Sequence, residues 1–216
     1  MPLFRLDASI REEGSHSRAL ADIVENEWRE THPEGLVTRR QVGTDPLPST
    51  LWAQAVIASR TPEDDRSPEQ RDAAAAVATL GDELLNADAL LFATPIYNFG
   101  VSQHFKAWVD VVITDKRLVT PDGPALAGRP AVLVVVRGGA YGPGTPREGW
   151  DHATGWYRRI LEDVWQLDLK VVEKEFTLVG VNPALDEFKD LAVQMGRDAE
   201  ALAVEHGRHL ATVSVG

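Results

Sequence analysis

Two short stretches of this chain carry side chains whose types and spacing suit a small, flat, anionic ligand. The first is Thr94-Pro95-Ile96-Tyr97-Asn98-Phe99-Gly100, which follows the apolar run Ala89 to Phe92 and leads into a predicted helix carrying Lys106, Trp108 and Asp110. A short unbroken apolar run reads as a strand buried on both faces, and the turn at its carboxyl end is where open α/β sheets bind ligands. Pro95 stiffens that turn and Gly100 bends it, while Tyr97 and Phe99 offer aromatic faces and Asn98 an amide that donates and accepts hydrogen bonds. Together they suit a flat heteroaromatic ring. Taken alone, the loop reads equally well as a proline-containing connection with its aromatics packed in the core.

The second stretch runs from Ala8 to Arg18, between a short strand (Leu3 to Asp7) and an amphipathic helix with Leu20, Ile23, Val24 and Trp28 on one face. Ser9, Ser15 and Ser17 supply hydroxyls, Gly14 lets backbone approach a ligand, and the free N–H groups of the opening helical turn favour an anion. An ordinary helix cap accounts for Ser15 or Ser17 singly, but not for the whole cluster. Neither a Walker pattern nor Gly-x-Gly-x-x-Gly follows the strand. A mononucleotide with one terminal phosphate fits better than a nucleoside triphosphate or a dinucleotide held in the Rossmann manner.

A third segment leaves the clearest buried strand, Ala131 to Val136, as Arg137-Gly138-Gly139-Ala140-Tyr141-Gly142-Pro143-Gly144-Thr145-Pro146. Tyr141, Trp150 and His152 are candidates for a substrate slot folded over the ring; the competing reading is a surface turn and a helix start, with Trp150 in the core. His104, His206 and His209 have no metal-ligand spacing and read as solvent-facing, so no metal is expected. Lys106 and Asp110 read as a helix-surface pair, and Trp52, Trp108 and Trp165 as core or interface residues.

These loops need a scaffold that brings strand ends together. After the first helix, Leu36 to Gln41 reads as an edge strand. A short helix from Ser49, burying Trp52, Val56 and Ile57, and a helix from the capping box Ser67-Pro68-Glu69-Gln70 to about Asn86 join it to the third strand. A helix over Val101 to Ile113, an irregular stretch over Asp115 to Arg129, a helix from about Gly149 to Trp165, a fifth strand over Lys170 to Val179 and a helix from Pro183 to about Leu210 complete the chain. Five strands alternating with helices predict a doubly wound parallel sheet of order 2-1-3-4-5 with helices on both faces, as one domain over 1–216. In that order the serine loop and the aromatic loop meet at the crevice.

With 216 residues, 44% of them hydrophobic and 25% charged, the chain is long enough for a full core. A net charge of -11 argues against nucleic-acid or anionic-membrane surfaces, although Arg11, Arg18, Arg39, Arg40 and Arg137 remain local sites for a small anion. With no cysteine there is no thiol catalysis, thiolate metal site or disulfide. The sequence has no apolar run of membrane-span length and no signal-peptide core, and the expected location is the cytoplasm.

The chain resembles the FMN-dependent NADH azoreductases and NAD(P)H:quinone oxidoreductases of flavodoxin-like fold, over nearly its whole length. The resemblance rests on Asp7-Ala8-Ser9, Gly14-Ser15-His16-Ser17, Thr94 to Phe99, Gln103-x-x-Lys106-x-Trp108-x-Asp110 and Val136-Arg137-Gly138-Gly139. It implies that Ser9, Ser15, His16 and Ser17 hold the FMN phosphate. Pro95, Ile96, Tyr97, Asn98 and Phe99 would lie along the isoalloxazine edge, with Arg137, Gly138 and Gly139 closing the far side. It also implies NADH or NADPH as donor, a quinone or azo compound as acceptor, two-electron ping-pong chemistry without a dedicated catalytic side chain, and a homodimer with the flavin at its interface. Val136 stands where the family often has serine, and the 115–130 segment is shorter and lacks the usual aromatics, which touches azo-dye activity more than fold or cofactor. The alternatives are a flavodoxin-like electron carrier and a non-catalytic FMN-binding module.

Overall fold

The computed structural model describes residues 1–121, 123–145 and 147–212. Five parallel strands form its sheet: β1 (Leu3–Asp7), β2 (Val37–Arg40), β3 (Ala89–Pro95), β4 (Pro130–Val136) and β5 (Asp168–Lys174), in the order β2-β1-β3-β4-β5. The flavodoxin-like architecture is therefore as the sequence predicts. Phe4 lies between Thr38 and Leu90, and Leu91 beside Val132, so successive residues of the apolar strands point to opposite faces. One face buries Phe4, Leu6, Phe92 and Leu133 under Phe105, Trp108, Tyr157 and Trp165; the other buries Leu3, Leu91, Val132 and Val134 under Leu20, Val24, Trp28 and Ala203. A core on both faces explains why these strands read as continuous apolar runs.

Helix α1 (His16–Thr31) is capped by Ser15, and α3 (Pro68–Leu85) by the predicted box, in which the Ser67 and Gln70 N–H groups donate to each other's side chains. Helix α2 (Leu51–Ala58) departs from expectation: its small residues Ala55 and Ala58 face inward, while Trp52 and Ile57 are about half exposed. Two alanines let α2 lie close to α3, which turns the bulky residues outward. Helix α4 (Gln103–Val112) buries Phe105 and Trp108 completely; the Trp108 ring lies 6.0 Å from Phe4 and 5.8 Å from Trp165. These two aromatics belong to this chain's own core and are not available to an interface.

The 115–130 segment contains a two-stranded hairpin pairing Val119–Thr120 with Gly123–Pro124; Asp122 lies outside the described residues. Helix α5 begins at Thr154 rather than Gly149, because the Asp151 carboxylate collects the Ala153 and Thr154 N–H groups at 2.8 Å. It runs to Arg158 and widens into a π turn over Arg159–Val164. The last helix starts as a 3-10 turn, Pro183–Phe188, and continues as α6 (Lys189–Thr212). His104, His206 and His209 are half-buried rather than solvent-facing, and burial is the main cause that lowers the His206 pKa. Among the described residues, no helix is long and apolar enough to cross a membrane, and no cluster of His, Asp or Glu is arranged to hold a metal.

Candidate functional site

The carboxyl ends of β1, β3, β4 and β5 bring the predicted loops to one rim. At the end of β1 the buried Asp7 accepts from Arg5 at 3.0 Å and lies 3.6 Å from Arg18. The Arg18 guanidinium in turn donates to the carbonyls of Ser9 (3.2 Å) and Arg11 (3.0 Å) and to Gln41 (2.9 Å). Arg18 is therefore the internal brace of the serine loop, with its donors spent on the loop's own backbone. Arg39 and Arg40 are likewise committed, to Glu25 and Glu83. Of the basic residues expected near an anion, Arg11 is exposed and makes no ion pair among the described residues.

Inside this brace, the Ser15 and Ser17 hydroxyls stand 3.3 Å apart, and both are buried. With Ser9, Arg11 and His16 they line a pocket of about 130 Å³, which Arg137 and Thr177 also border. Hydroxyls at the amino end of a 16-residue helix are the donor set a phosphate monoester requires. Burial lowers the His16 pKa, helped by the charges of Lys174 and Arg11, which disfavours the imidazolium. Backbone and hydroxyl donors therefore carry most of the recognition.

The aromatic loop leaves β3 through Ile96, whose N–H donates to Val136 O at 2.8 Å. Asn98 (φ 49°) and Phe99 (φ 67°) then take left-handed backbone, common for asparagine and strained for phenylalanine. The strain is held by Gly100 N–H donating to Tyr97 O (3.0 Å) and His152 N–H donating to Phe99 O (3.0 Å). Beneath the loop, the buried Tyr157 hydroxyl accepts from Ser102 N–H at 3.1 Å and lies 2.9 Å from Thr94 Oγ1. Burial pushes the Tyr157 pKa up to about 12. Among the described residues, the N–H groups of Asn98, Phe99, Gly138 and Gly139 have no hydrogen-bond acceptor. Two pairs of unspent donors thus face the rim from β3 and β4.

Arg137 follows β4, but its side chain turns away from the serine pocket. It pairs with Asp151 at 2.6 Å, with Glu173, and with Glu175 at 3.6 Å. Its guanidinium thereby anchors the slot loop to β5. A Cβ at Gly138 would lie 2.6 Å from Leu178 Cδ1, so any larger residue there displaces the Leu178 side chain. Gly138 and Leu178, with Ile96 and Tyr97, border both the serine pocket and a larger cavity of about 520 Å³. Tyr141 is buried in the wall of that cavity, its ring 5.5 Å from Phe99; Trp150 packs edge-on against Phe99 at 5.1 Å with about half its surface exposed. His152 contributes its backbone N–H, and its ring is exposed. Pro146 lies outside the described residues.

The wall opposite these loops is not among the features expected from the sequence. Instead of continuing β5 to Val179, the chain turns at Phe176 (φ 54°), and the N–H groups of Phe176, Thr177 and Leu178 donate to the carbonyls of Gly139, Arg137 and Gly138. Phe176 stacks on Phe188 (4.9 Å, 19°), and these rings, with Leu178 and Leu185, complete the cavity. The apolar run Phe176 to Val179 has the composition of a strand; its position at the end of the last strand was the available signal.

A family model described as a flavodoxin-like fold matches residues 1–182. An FMN-dependent NADH:quinone oxidoreductase of Frankia casuarinae is 41% identical over 203 residues, covering 93% of this chain and 96% of that protein. A protein of the same name from Streptomyces coelicolor is 34% identical, covering 96% and 94%. Among solved structures, an FMN-dependent NADH-azoreductase from Bacillus anthracis in complex with FMN superposes with TM-score 0.78 at 13% identity, covering 98% of this chain and all of that one. The chain belongs to the flavodoxin-like family, in the group of the FMN-dependent NADH:quinone oxidoreductases.

Proposed function

We propose that this protein is an FMN-dependent NADH:quinone oxidoreductase. The observation that carries the reading is the pair of adjoining cavities: a hydroxyl-lined pocket at a helix amino terminus opens beside an aromatic slot, with Ile96, Tyr97, Gly138 and Leu178 shared between them. That shape matches a phosphorylated flavin. Ser9, Ser15, Ser17 and the backbone of His16 bind the phosphate. Pro95 to Phe99, Gly138, Gly139 and the backbone of Arg137 bind the ring. Tyr141 and Trp150 flank the bound substrate, with His152 supporting Phe99 through its N–H.

FMN held by these residues would supply two-electron redox chemistry between NADH and a quinone. The chain's residues orient, charge-stabilise and shield. The N–H groups of Asn98, Phe99, Gly138 and Gly139 offer a positive rim to the electron-rich edge of a planar ring, fixed in place before reaction. Phe176, Phe188 and Tyr141 exclude water from one slot used by donor and acceptor in turn.

The reading includes one domain over 1–216, supported by a single sheet with a core on each face, and a cytoplasmic setting, which suits the demand for reduced dinucleotide. It also includes a homodimer. Support comes from exposed apolar side chains, notably Trp52, Ile57 and Trp150, rather than from Phe105 or Trp108. Reconstitution with FMN, riboflavin and FAD, followed by steady-state kinetics with NADH and a quinone, tests the reading: FMN binds tightest and double-reciprocal lines are parallel. Intersecting lines or equal binding of riboflavin contradict it, and light scattering with Trp52→Glu tests the dimer.

A further inference from the structure

Arg147 stands in the wall of the aromatic cavity without an acidic partner. Its guanidinium carbon lies 5.6 Å from the ring centroids of both Phe99 and Trp150. Among the described residues it makes no ion pair and no side-chain hydrogen bond. The acidic residues close to it in sequence are already engaged: Glu148 accepts from Gly144 N–H at 2.9 Å, and Asp151 is held by Arg137 and Thr154. The supporting loop is closed on itself, with Gly149 N–H donating to Tyr141 O at 3.1 Å and Trp150 N–H to Arg147 O at 3.1 Å. Cation–π contacts with two rings therefore locate the exposed Arg147 guanidinium and leave its five N–H donors without an acceptor among the described residues.

Resting on the oxidoreductase reading, we propose that Arg147 is the anion anchor of the substrate slot, so that the preferred slot ligand is a planar aromatic molecule bearing an anionic group. A guanidinium suits this role because its planar fork matches carboxylate, sulfonate or phosphate oxygens, and cation–π contact with Phe99 and Trp150 positions it. Glu187, the other charged residue in the cavity wall, repels the same anions, so the arginine sets where the charged end of the ligand lies. The anion has two possible sources, an acidic substituent on the acceptor or the diphosphate of the dinucleotide donor.

The test compares wild type with Arg147→Met, which keeps an apolar stem against both rings, and with Arg147→Lys, which keeps the charge without the fork. Each is assayed with a naphthoquinone and its ring-sulfonated counterpart, and with NADH and reduced N-benzylnicotinamide, a donor without phosphate. Loss of a charge-assisted contact lowers the relevant kcat/KM ratio about tenfold in Arg147→Met, with partial recovery in Arg147→Lys. A fall in the sulfonated-to-neutral acceptor ratio assigns the anion to the acceptor; a fall in the NADH-to-benzylnicotinamide ratio assigns it to the donor. Calorimetry of naphthalene-2-sulfonate against its neutral sulfonamide on the FMN-loaded protein reads the same preference without turnover. If both ratios and the calorimetric preference survive Arg147→Met within twofold, the proposal is overturned. Absence of any NADH consumption by wild type would instead count against the oxidoreductase reading, leaving the calorimetric comparison to decide the role of Arg147.

Discussion

Replacing Gly43 by alanine damages the phosphate cradle from outside it. Gly43 follows β2, and its N–H donates to Asp7 O at 3.2 Å, which presses its α-carbon against the start of the serine loop. A Cβ at this position would lie 2.0 Å from Ser9 O and 2.4 Å from Ser9 C, about 1.4 Å inside ordinary contact with that oxygen. The obstacle is backbone, which no rotamer change relieves, so β2 or the serine loop must move by about an ångström. Overpacking of this kind costs roughly 1 to 3 kcal/mol, and a protein of this size loses ~2 to 4 °C in Tm for each kcal/mol. Ser9 is the part that shifts. A lost hydrogen bond to charged phosphate is worth about 1.5 to 3 kcal/mol, so the FMN Kd rises about tenfold or more. Riboflavin, which has no phosphate, is the control: fluorescence titration of both ligands on Gly43→Ala and wild type should show a loss confined to FMN. An FMN affinity within twofold of wild type, or equal weakening of both ligands, refutes the idea that Gly43 sets the cradle.

Ser15→Ala with Ser17→Ala weakens FMN by at least about tenfold while riboflavin binding holds, as read by the same titration. Tyr157→Phe leaves the buried Ser102 N–H without its acceptor, costing about 1 to 3 kcal/mol in urea unfolding and loosening the aromatic loop. Burial alone would raise the Glu25 pKa, but hydrogen bonds from Arg29, Arg39 and Arg5 outweigh it and hold the pKa below the ordinary carboxylate value. The resulting stability is therefore fully present above the ordinary carboxylate range and lost as pH falls through the lowered folded-state value; Glu25→Gln flattens that acid part of a stability-versus-pH curve.

What was legible in the sequence had a local physical cause. Apolar strands such as Ala131 to Val136 announce a doubly covered sheet, and Ser67 to Gln70 spell a helix start through hydrogen bonds that span three residues. Ser15 and Ser17 were visible for the same reason, because a helix's first turn creates its own demand for caps and ligands. What failed depended on distant partners. Whether Arg18 serves a ligand or the loop is decided by Asp7 and Gln41, and the orientation of Arg137 by Asp151, Glu173 and Glu175. Trp52 looked like core until Ala55 and Ala58 took the inward face, and Trp108 proved to be surrounded by Phe4, Phe92, Phe105 and Trp165. Residues 175–179 have strand composition, yet their N–H groups found the Arg137 to Gly139 carbonyls in place of a regular ladder.

That last segment bears on how the protein is made. The serine pocket begins at Ser9, whereas the wall that faces it and the aromatic slot is supplied by Thr177, Leu178 and Phe188, nearly the whole length of the chain away. A chain emerging amino end first from the ribosome displays its serines and aromatic loop long before the segment that encloses them exists. The complete cavity therefore forms only after Phe188 has been made. Cofactor retention consequently reports on whether the chain has been made through this segment, and a truncation before Thr177 yields a chain that carries the recognisable loops without the enclosure that would retain a ligand.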